Sequence, residues 1–276
     1  MGVYSVSGVE LEAAYSKDGV SLTDVYNRNG ERIGMDTPEP QFLDTAVITT
    51  LPNAFSASGA KQGACTDGTY IYVISGDFTN ETYYDLLKYR ISDGSLTTQR
   101  FDGTQVNFGH GNDMAYNPNN GYLYICTMDS DGSVIVLDST DLSYVGTIYL
   151  TNASGNPYAV WQFCFDRLTN HFLSVNGNNI LVYDQSWTLI TAIPIPAHPS
   201  ATGQGCETDG TFFYRVTYNP NLIDVIRLSD GTRVKTIANP MSGEPETMLY
   251  DWNGHYYISR NATSNIVYAV QLFEEA

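Results

Sequence analysis

The sequence predicts an all-β fold and, within that class, a five-bladed β-propeller preceded by a short N-terminal stem. Three observations lead to this prediction: a composition of strand and turn formers, a motif that returns after 142 residues, and five copies of one hairpin pattern. Composition alone fits many all-β folds, whereas a regular repeat selects folds built from similar units.

The composition favours strands over helices. Aromatic residues make up 13% of the 276 residues, 21 of them Tyr, and 24 Gly and 11 Pro are spread along the chain. Aromatic side chains fill pleated surfaces, while Gly and Pro form turns. No window of a dozen residues has the apolar stripe of an amphipathic helix.

The charge balance excludes several partners. Asp and Glu number 30 against 13 Lys and Arg, which gives a net charge of −17. Such a field repels phosphate backbones and anionic membranes, so we expect neither nucleic acid nor membrane as a partner. The first residues lack the pattern of a secretory signal, and no apolar run is long enough to span a bilayer. We expect a soluble chain made in a cytoplasm.

A nine-residue motif reveals the repeat. The segment QGACTDGTY begins at Gln62, and QGCETDGTF begins at Gln204. Three units of about 47 residues account for this separation.

A hairpin pattern supports the same period. It consists of an apolar run, a short polar turn and a second apolar run. Its five copies span residues 86–98, 134–148, 180–193, 223–237 and 266–273. The fifth copy ends after its first strand, and Thr45–Leu51 matches the missing outer strand in character. We therefore predict that this N-terminal strand closes the last blade, because a closed ring leaves no unpaired internal edge.

The predicted blades are 61–101, 109–150, 159–196, 203–238, and 244–273 with 44–51. The rival is a sandwich of irregular strands, which needs no 47-residue period. Residues 1–40 are predicted to form the stem and linker, and 41–276 the propeller. The stem carries two polar turns, at 15–19 and 26–30, and is too small for a core of its own. It is either disordered or docks on neighbouring chains.

The central channel is the predicted site. In a propeller the innermost strands begin beside this channel, so residues at those starts converge. Amide groups match sugar hydroxyls, and aromatic faces stack on sugar rings. The alternative is that the polar groups only bond one another and channel water. The predicted ligand-binding residues are Gln62, His110, Asn112, Asp113, Trp161, Gln162, Gln204 and Glu246.

His110 stands between Gly109 and Gly111, which permit unusual backbone angles and a close ligand approach. A turn histidine held by neighbouring carbonyls is the alternative. The segment 129–133 resembles a calcium loop but lacks the distal Glu, and a plain turn is favoured. The four cysteines have no zinc-ligand spacing and are expected to be buried and reduced. We predict no metal, no cofactor and no catalytic residue.

The Gly109-His110-Gly111 segment and the Gln-Gly pairs at 62–63 and 204–205 resemble the five-bladed propeller of receptor-binding proteins from siphophages of Gram-positive bacteria. Bacteriocins of the helveticin type look comparable. The resemblance implies a domain on a trimeric stem that engages cell-wall glycopolymers. Only Gln62, His110 and Gln204 inherit a functional expectation from it, and the present stem is far shorter than a tail fibre.

Two functions follow as expectations. The first is a receptor-binding domain that recognises bacterial cell-surface glycans at the propeller mouth, as part of a virion or released from the cell. Residues 1–36 would then contact other phage tail proteins, in a homotrimer. The second is a propeller enzyme, such as a lactonase, a cyclase or a glycan-cleaving enzyme, in which Glu246 and Asp113 either hold a metal or act as an acid and base pair, assisted by His110. Because most of the polar residues predicted at the central channel are neutral amides, glycan binding is favoured over catalysis.

Overall fold

The computed structural model describes residues 25–26, 32–33, 40–51, 57–76, 78–80, 82–197 and 202–274. Within these ranges every regular element is a β-strand. This part of the chain therefore offers no helix that could cross a membrane. The predicted all-β class is confirmed. Most of the stem predicted over 1–40, including its turn at 15–19, lies outside the described residues.

The described residues fall into two compact units. One contains a two-stranded antiparallel pair near the N-terminus, together with Gln41 and Glu274. The other spans Phe42–Phe273 and contains all remaining strands. The strands are β1 (Val25–Tyr26), β2 (Arg32–Ile33), β3 (Phe42–Thr50), β4 (Ala60–Thr66), β5 (Tyr70–Gly76), β6 (Tyr83–Arg90), β7 (Leu96–Asp102), β8 (Asp113–Asn117), β9 (Tyr122–Cys126), β10 (Ser133–Asp138), β11 (Tyr144–Tyr149), β12 (Phe163–Asp166), β13 (His171–Asn176), β14 (Asn179–Tyr183), β15 (Leu189–Pro194), β16 (Thr202–Thr208), β17 (Phe212–Tyr218), β18 (Leu222–Arg227), β19 (Arg233–Ala238), β20 (Pro245–Tyr250), β21 (Tyr256–Arg260) and β22 (Val267–Phe273).

The strands of the larger unit form antiparallel meanders of four. Strands β4 to β7, β8 to β11 and β12 to β15 each make a separate sheet in chain order. An eight-stranded sheet has the order β16-β17-β18-β19-β3-β22-β21-β20. Its two halves meet through a single parallel pair, Ala238 with Thr45. The strand predicted over 44–51 is thus β3, and it pairs antiparallel with β22.

The first strand of each meander lies next to the first strand of the following one. Strand β4 adjoins β8, β8 adjoins β12, β12 adjoins β16, β16 adjoins β20, and β20 returns to β4. Apolar clusters fill the space between successive meanders, including the space between the last and the first. The inner strands are almost wholly buried, whereas the outer strands β7, β11 and β15 are largely exposed. Burial of apolar area between sheets, at about 25 cal/mol per Å², supplies the main driving force.

The repeated Thr-Asp-Gly-Thr segment forms the same turn twice. In the first copy Thr66 donates its hydroxyl to the carbonyl of Tyr70, and Asp67 accepts the backbone N–H groups of Thr69 and Tyr70. The second copy repeats these bonds at Thr208 and Asp209. Each turn Asp also accepts a buried tyrosine hydroxyl, from Tyr72 at 2.8 Å and from Tyr214 at 2.6 Å. The motif is therefore a hairpin device that fixes β4 to β5 and β16 to β17.

All four cysteines are buried and free. Burial raises the pKa of the Cys164 thiol to about 12, so it stays protonated and unreactive at neutral pH.

Candidate functional site

Asp113 is the structural centre of the inner strands. Its Oδ2 accepts the backbone N–H of Phe163 on β12 at 2.9 Å and of Cys206 on β16 at 2.8 Å. Its Oδ1 accepts the Thr247 hydroxyl on β20 at 2.7 Å and the N–H of Met114 at 3.0 Å. One buried carboxylate thus ties four inner strands together. Burial raises its pKa to about 7 against the pull of these four donors.

The two Gln-Gly pairs follow from the crowding around this carboxylate. A Cβ on Gly63 would lie 2.6 Å from the Cα of Asp113, and a Cβ on Gly205 would lie 2.1 Å from the Thr247 hydroxyl oxygen. Gly63 also donates its N–H to the carbonyl of Gly111 at 2.8 Å. Only glycine lets the backbone of β4 lie so close to Asp113, and the backbone of β16 so close to Thr247.

Five residues at or near the starts of the inner strands β4, β8, β16 and β20 form a group that we name the axial mouth: Gln62, His110, Gln204, Glu244 and Glu246. Glu246 is 1% exposed, and neither carboxyl oxygen has a hydrogen-bond partner among the residues that the structure describes. Burial, with the nearby charges of Glu244 and Asp113, raises its pKa to about 9. Gln204 donates its amide to Glu244 Oε1 at 2.8 Å. The axial mouth therefore combines a buried neutral acid with a half-exposed carboxylate.

The amides predicted for the site are buried, and most bond to the protein. Asn112 donates to the carbonyl of Trp161 at 2.6 Å, and Gln162 donates to the carbonyl of Gly205 at 3.3 Å. Gln62 Oε1 is buried without a partner. Among the eight predicted residues, Asp113 and Asn112 thus hold neighbouring sheets together, whereas only His110 and Trp161 are exposed.

The two glycines that flank His110 have the unusual backbone angles that the sequence suggested. Gly109 and Gly111 have φ of 55° and 59°. A Cβ on Gly109 would lie 2.4 Å from the carbonyl oxygen of Thr127, which accepts the N–H of His110 at 2.8 Å. The ring of Phe78 lies 5.8 Å from the His110 ring. Partial burial of the His110 ring lowers its pKa, so the ring is neutral at pH 7.

A cleft of about 450 Å³ adjoins the axial mouth between the third meander and β16 to β19. Trp161 stands at this cleft with 43% of its surface exposed, and Gln162 lies beside it. We name this cavity the Trp161 cleft. Its lining residues are Ala159, Trp161, Gln162, Val175, Asn176, Gly177, Asn178, Ala197, Gly203, Arg215 and Thr217.

Arg215 lies in the wall of the Trp161 cleft within a buried ion cluster. Its Nη2 donates to Asp224 Oδ2 at 2.7 Å, and Arg233 reaches the same oxygen at 3.2 Å. Thr236 donates to the other carboxylate oxygen at 2.9 Å. Two guanidinium groups share one carboxylate, so the cluster presents donors rather than acceptors to the cleft.

Sequence reasoning missed Glu244, Arg215, Asn176 and Asn178. Asn176 to Asn178 form the turn between β13 and β14, which is the type of connection expected on the face of the axial mouth. An Asn-Gly-Asn segment was a usable signal for that turn. Arg215 lies inside the apolar strand β17 and looks like an ordinary strand residue. Among the described residues no cluster of His, Cys, Asp and Glu is arranged to hold a metal ion.

Comparison with known proteins places the fold. No family model matches the chain, and no curated protein matches it in sequence. The crystal structure of glutaminyl cyclase from Myxococcus xanthus is similar at a TM-score of 0.60 and 12% identity, over 86% of this chain and 99% of that one. The crystal structure of the RRP9 WD40 repeats is similar at a TM-score of 0.50 and 8% identity, over 84% and 100%. Both are propeller proteins, and together with the four-stranded meanders they define this chain as an all-β protein of the propeller class. At these identities the likeness concerns the fold alone.

Proposed function

We propose that the chain is a five-bladed β-propeller, closed by β3, that binds bacterial cell-surface glycans in the Trp161 cleft without cleaving them. The fifth blade in this proposal is the half-sheet β20-β21-β22-β3. The expected setting is a phage tail, either in the virion or released after synthesis, with residues 1–36 in contact with other tail proteins. A homotrimer would multiply a weak single-site affinity.

The observation that carries the proposal is the exposed indole of Trp161 beside a cleft lined with amides. A large aromatic side chain that is 43% exposed is a favourable stacking surface for the apolar face of a sugar ring. Asn176, Asn178 and Gln162 line the same cleft and offer both donors and acceptors to hydroxyl groups. The guanidinium of Arg215 adds a donor at the cleft wall.

The test is adsorption of the labelled protein to purified Gram-positive cell walls, with Trp161→Ala as the variant. Loss of the stacking surface should weaken binding about tenfold, equivalent to ~1.4 kcal/mol. Tyr149→Ala is the matched control, because Tyr149 is 61% exposed on the outer strand β11 and does not line the cleft. Wall binding that is absent, or that is equal for wild type and Trp161→Ala, would refute the proposal.

One observation favours a second candidate, an enzyme with an axial active site. Glu246 is a buried carboxyl whose pKa is raised to about 9, as expected of a general acid. The fold likeness to a glutaminyl cyclase makes peptides with N-terminal glutamine a reasonable first substrate, beside lactones and glycans. Turnover that Glu246→Gln abolishes would support an enzyme over the binder. Absence of turnover on all three substrate classes would remove this candidate.

A further inference from the structure

We propose that the axial mouth binds a primary ammonium group, so that the glycan held in the Trp161 cleft carries a free amino sugar. This inference rests on the proposed function and specifies its ligand. Three features of the axial mouth support this inference: its hydrogen-bonding capacity, its local charge and its connection to the Trp161 cleft.

The axial mouth has a surplus of acceptors. Among the described residues, Gln62 Oε1 and both carboxyl oxygens of Glu246 have no hydrogen-bond partner, and the two side chains are buried, at 6% and 1% exposure. Glu244 is half-exposed and accepts one bond from Gln204. An ammonium group brings three N–H donors and no acceptor, and its positive charge favours the ionised form of Glu246, whose two oxygens then both accept.

The local charge at the axial mouth is negative. The charges that act on Glu246 belong to Glu244 and Asp113, and the charge that acts on His110 is that of Glu244. Burial lowers the pKa of His110, so the ring does not neutralise Glu244 at pH 7. An uncompensated carboxylate attracts a cation, and the net charge of −17 adds long-range attraction.

Two basic side chains near the axial mouth are already committed to backbone carbonyls. Lys61, next to Gln62, donates its ammonium to the carbonyls of Ala57, Ser58 and Gly59. Arg260 lies opposite Pro245 on β21 and donates to the backbone oxygens of Ser242, Ser264 and Asn265. Within the described part of the chain, neither Lys61 nor Arg260 forms an ion pair with Glu244 or Glu246, so neither neutralises the charge of Glu244.

Two hydrogen bonds link the Trp161 cleft to the axial mouth. Gln162 lines the cleft and donates to the carbonyl of Gly205, whose neighbour Gln204 donates to Glu244. In this proposal, a short oligosaccharide with one ring on Trp161 extends past Gly203 toward Gln204 and Glu244.

The test compares two tetrasaccharides that differ only in the amine: a β-1,4 glucosamine tetramer and its N-acetylated counterpart. Isothermal titration at pH 7 and low salt measures the binding of both to the whole chain. We expect wild type to bind the free amine at least tenfold more tightly, and Glu244→Gln to lose this preference. Glu244 is half-exposed, so its isosteric variant should fold normally. Trp161→Ala should weaken both ligands.

Asp230→Asn is the control for non-specific attraction to an acidic protein. It removes the same single charge from the exposed β18–β19 turn, where Asn can still accept the N–H of Thr232. This variant should keep the preference for the free amine. Equal binding of both tetramers with Trp161 dependence would overturn the ammonium site and leave the proposed function standing. The ammonium site would also be overturned if neither tetramer bound, or if Glu244→Gln kept the preference for the free amine. The proposed function is tested separately, by adsorption to cell walls.

Discussion

Gly205→Ala tests the close approach of the inner strands around Asp113. The added Cβ would lie 2.1 Å from the hydroxyl oxygen and 2.3 Å from the Cβ of Thr247, and 2.7 Å from Asp113 Oδ1. Thr247 is fully buried and β-branched, so it cannot swing away. Overpacking costs about 1–3 kcal/mol, and losing the Thr247 bond to a carboxylate adds about 1.5–3 kcal/mol. We expect a loss of about 4 kcal/mol in the free energy of unfolding.

Urea unfolding followed by tryptophan fluorescence measures this loss. With a slope of about 3 kcal/mol per M, the midpoint should fall by more than 1 M. Gly146→Ala is the matched control on the outer strand β11, where a Cβ would meet no atom within 4 Å. It should be neutral or slightly stabilising. In a Thr247→Gly background, Gly205→Ala should cost much less. A midpoint for Gly205→Ala equal to that of Gly146→Ala would refute the reasoning.

Three further predictions concern buried charge. Folding raises the pKa of Glu246 from 4.5 to about 9 and that of Glu207 from 4.5 to about 8, so the stability that these groups contribute is present at pH 4.5 and is lost as the pH rises to 9. Thermal melts of Glu246→Gln should therefore show a free energy of unfolding that depends less steeply on pH, by up to about 1.4 kcal/mol per pH unit. An unchanged pH dependence would contradict this. Lys61→Met should cost about 1–3 kcal/mol by leaving the carbonyls of residues 57–59 without donors, and hydrogen exchange near them should accelerate. Asp224→Asn removes the charge that pairs with Arg215, so urea unfolding should show a loss of about 3–5 kcal/mol in the free energy of unfolding. A loss smaller than that for the same substitution at an exposed Asp would count against the buried pair.

Much of the fold could be predicted from the sequence because it repeats. The predicted blade 61–101 corresponds to strands between Ala60 and Asp102, and 203–238 corresponds to strands between Thr202 and Ala238. Period-two apolar runs and Asp-Gly turns are local signals, so they survive in one sequence. The strand over 44–51 was found by elimination, since one hairpin lacked its second half.

The site was less predictable because its chemistry depends on distances between sheets. The role of Asp113 follows from bonds to residues 50 to 134 positions away, which no local pattern reveals. The same holds for Arg215, which is recognisable as part of the Trp161 cleft only once β17 packs beside the third meander. Trp161 and Gln162 were found because both stand at the start of an inner strand.

The pairing of β3 with β22 joins residues near position 45 to residues near position 270. A chain leaving the ribosome therefore presents β3 without its antiparallel partner until β22 (Val267–Phe273) has emerged. Sheets such as β8 to β11 can assemble as soon as they emerge, but the last one waits for the final residues of the domain. Deletion of the seven residues of β22 should thus leave β3 without its partner and give an aggregation-prone product, rather than a slightly smaller domain.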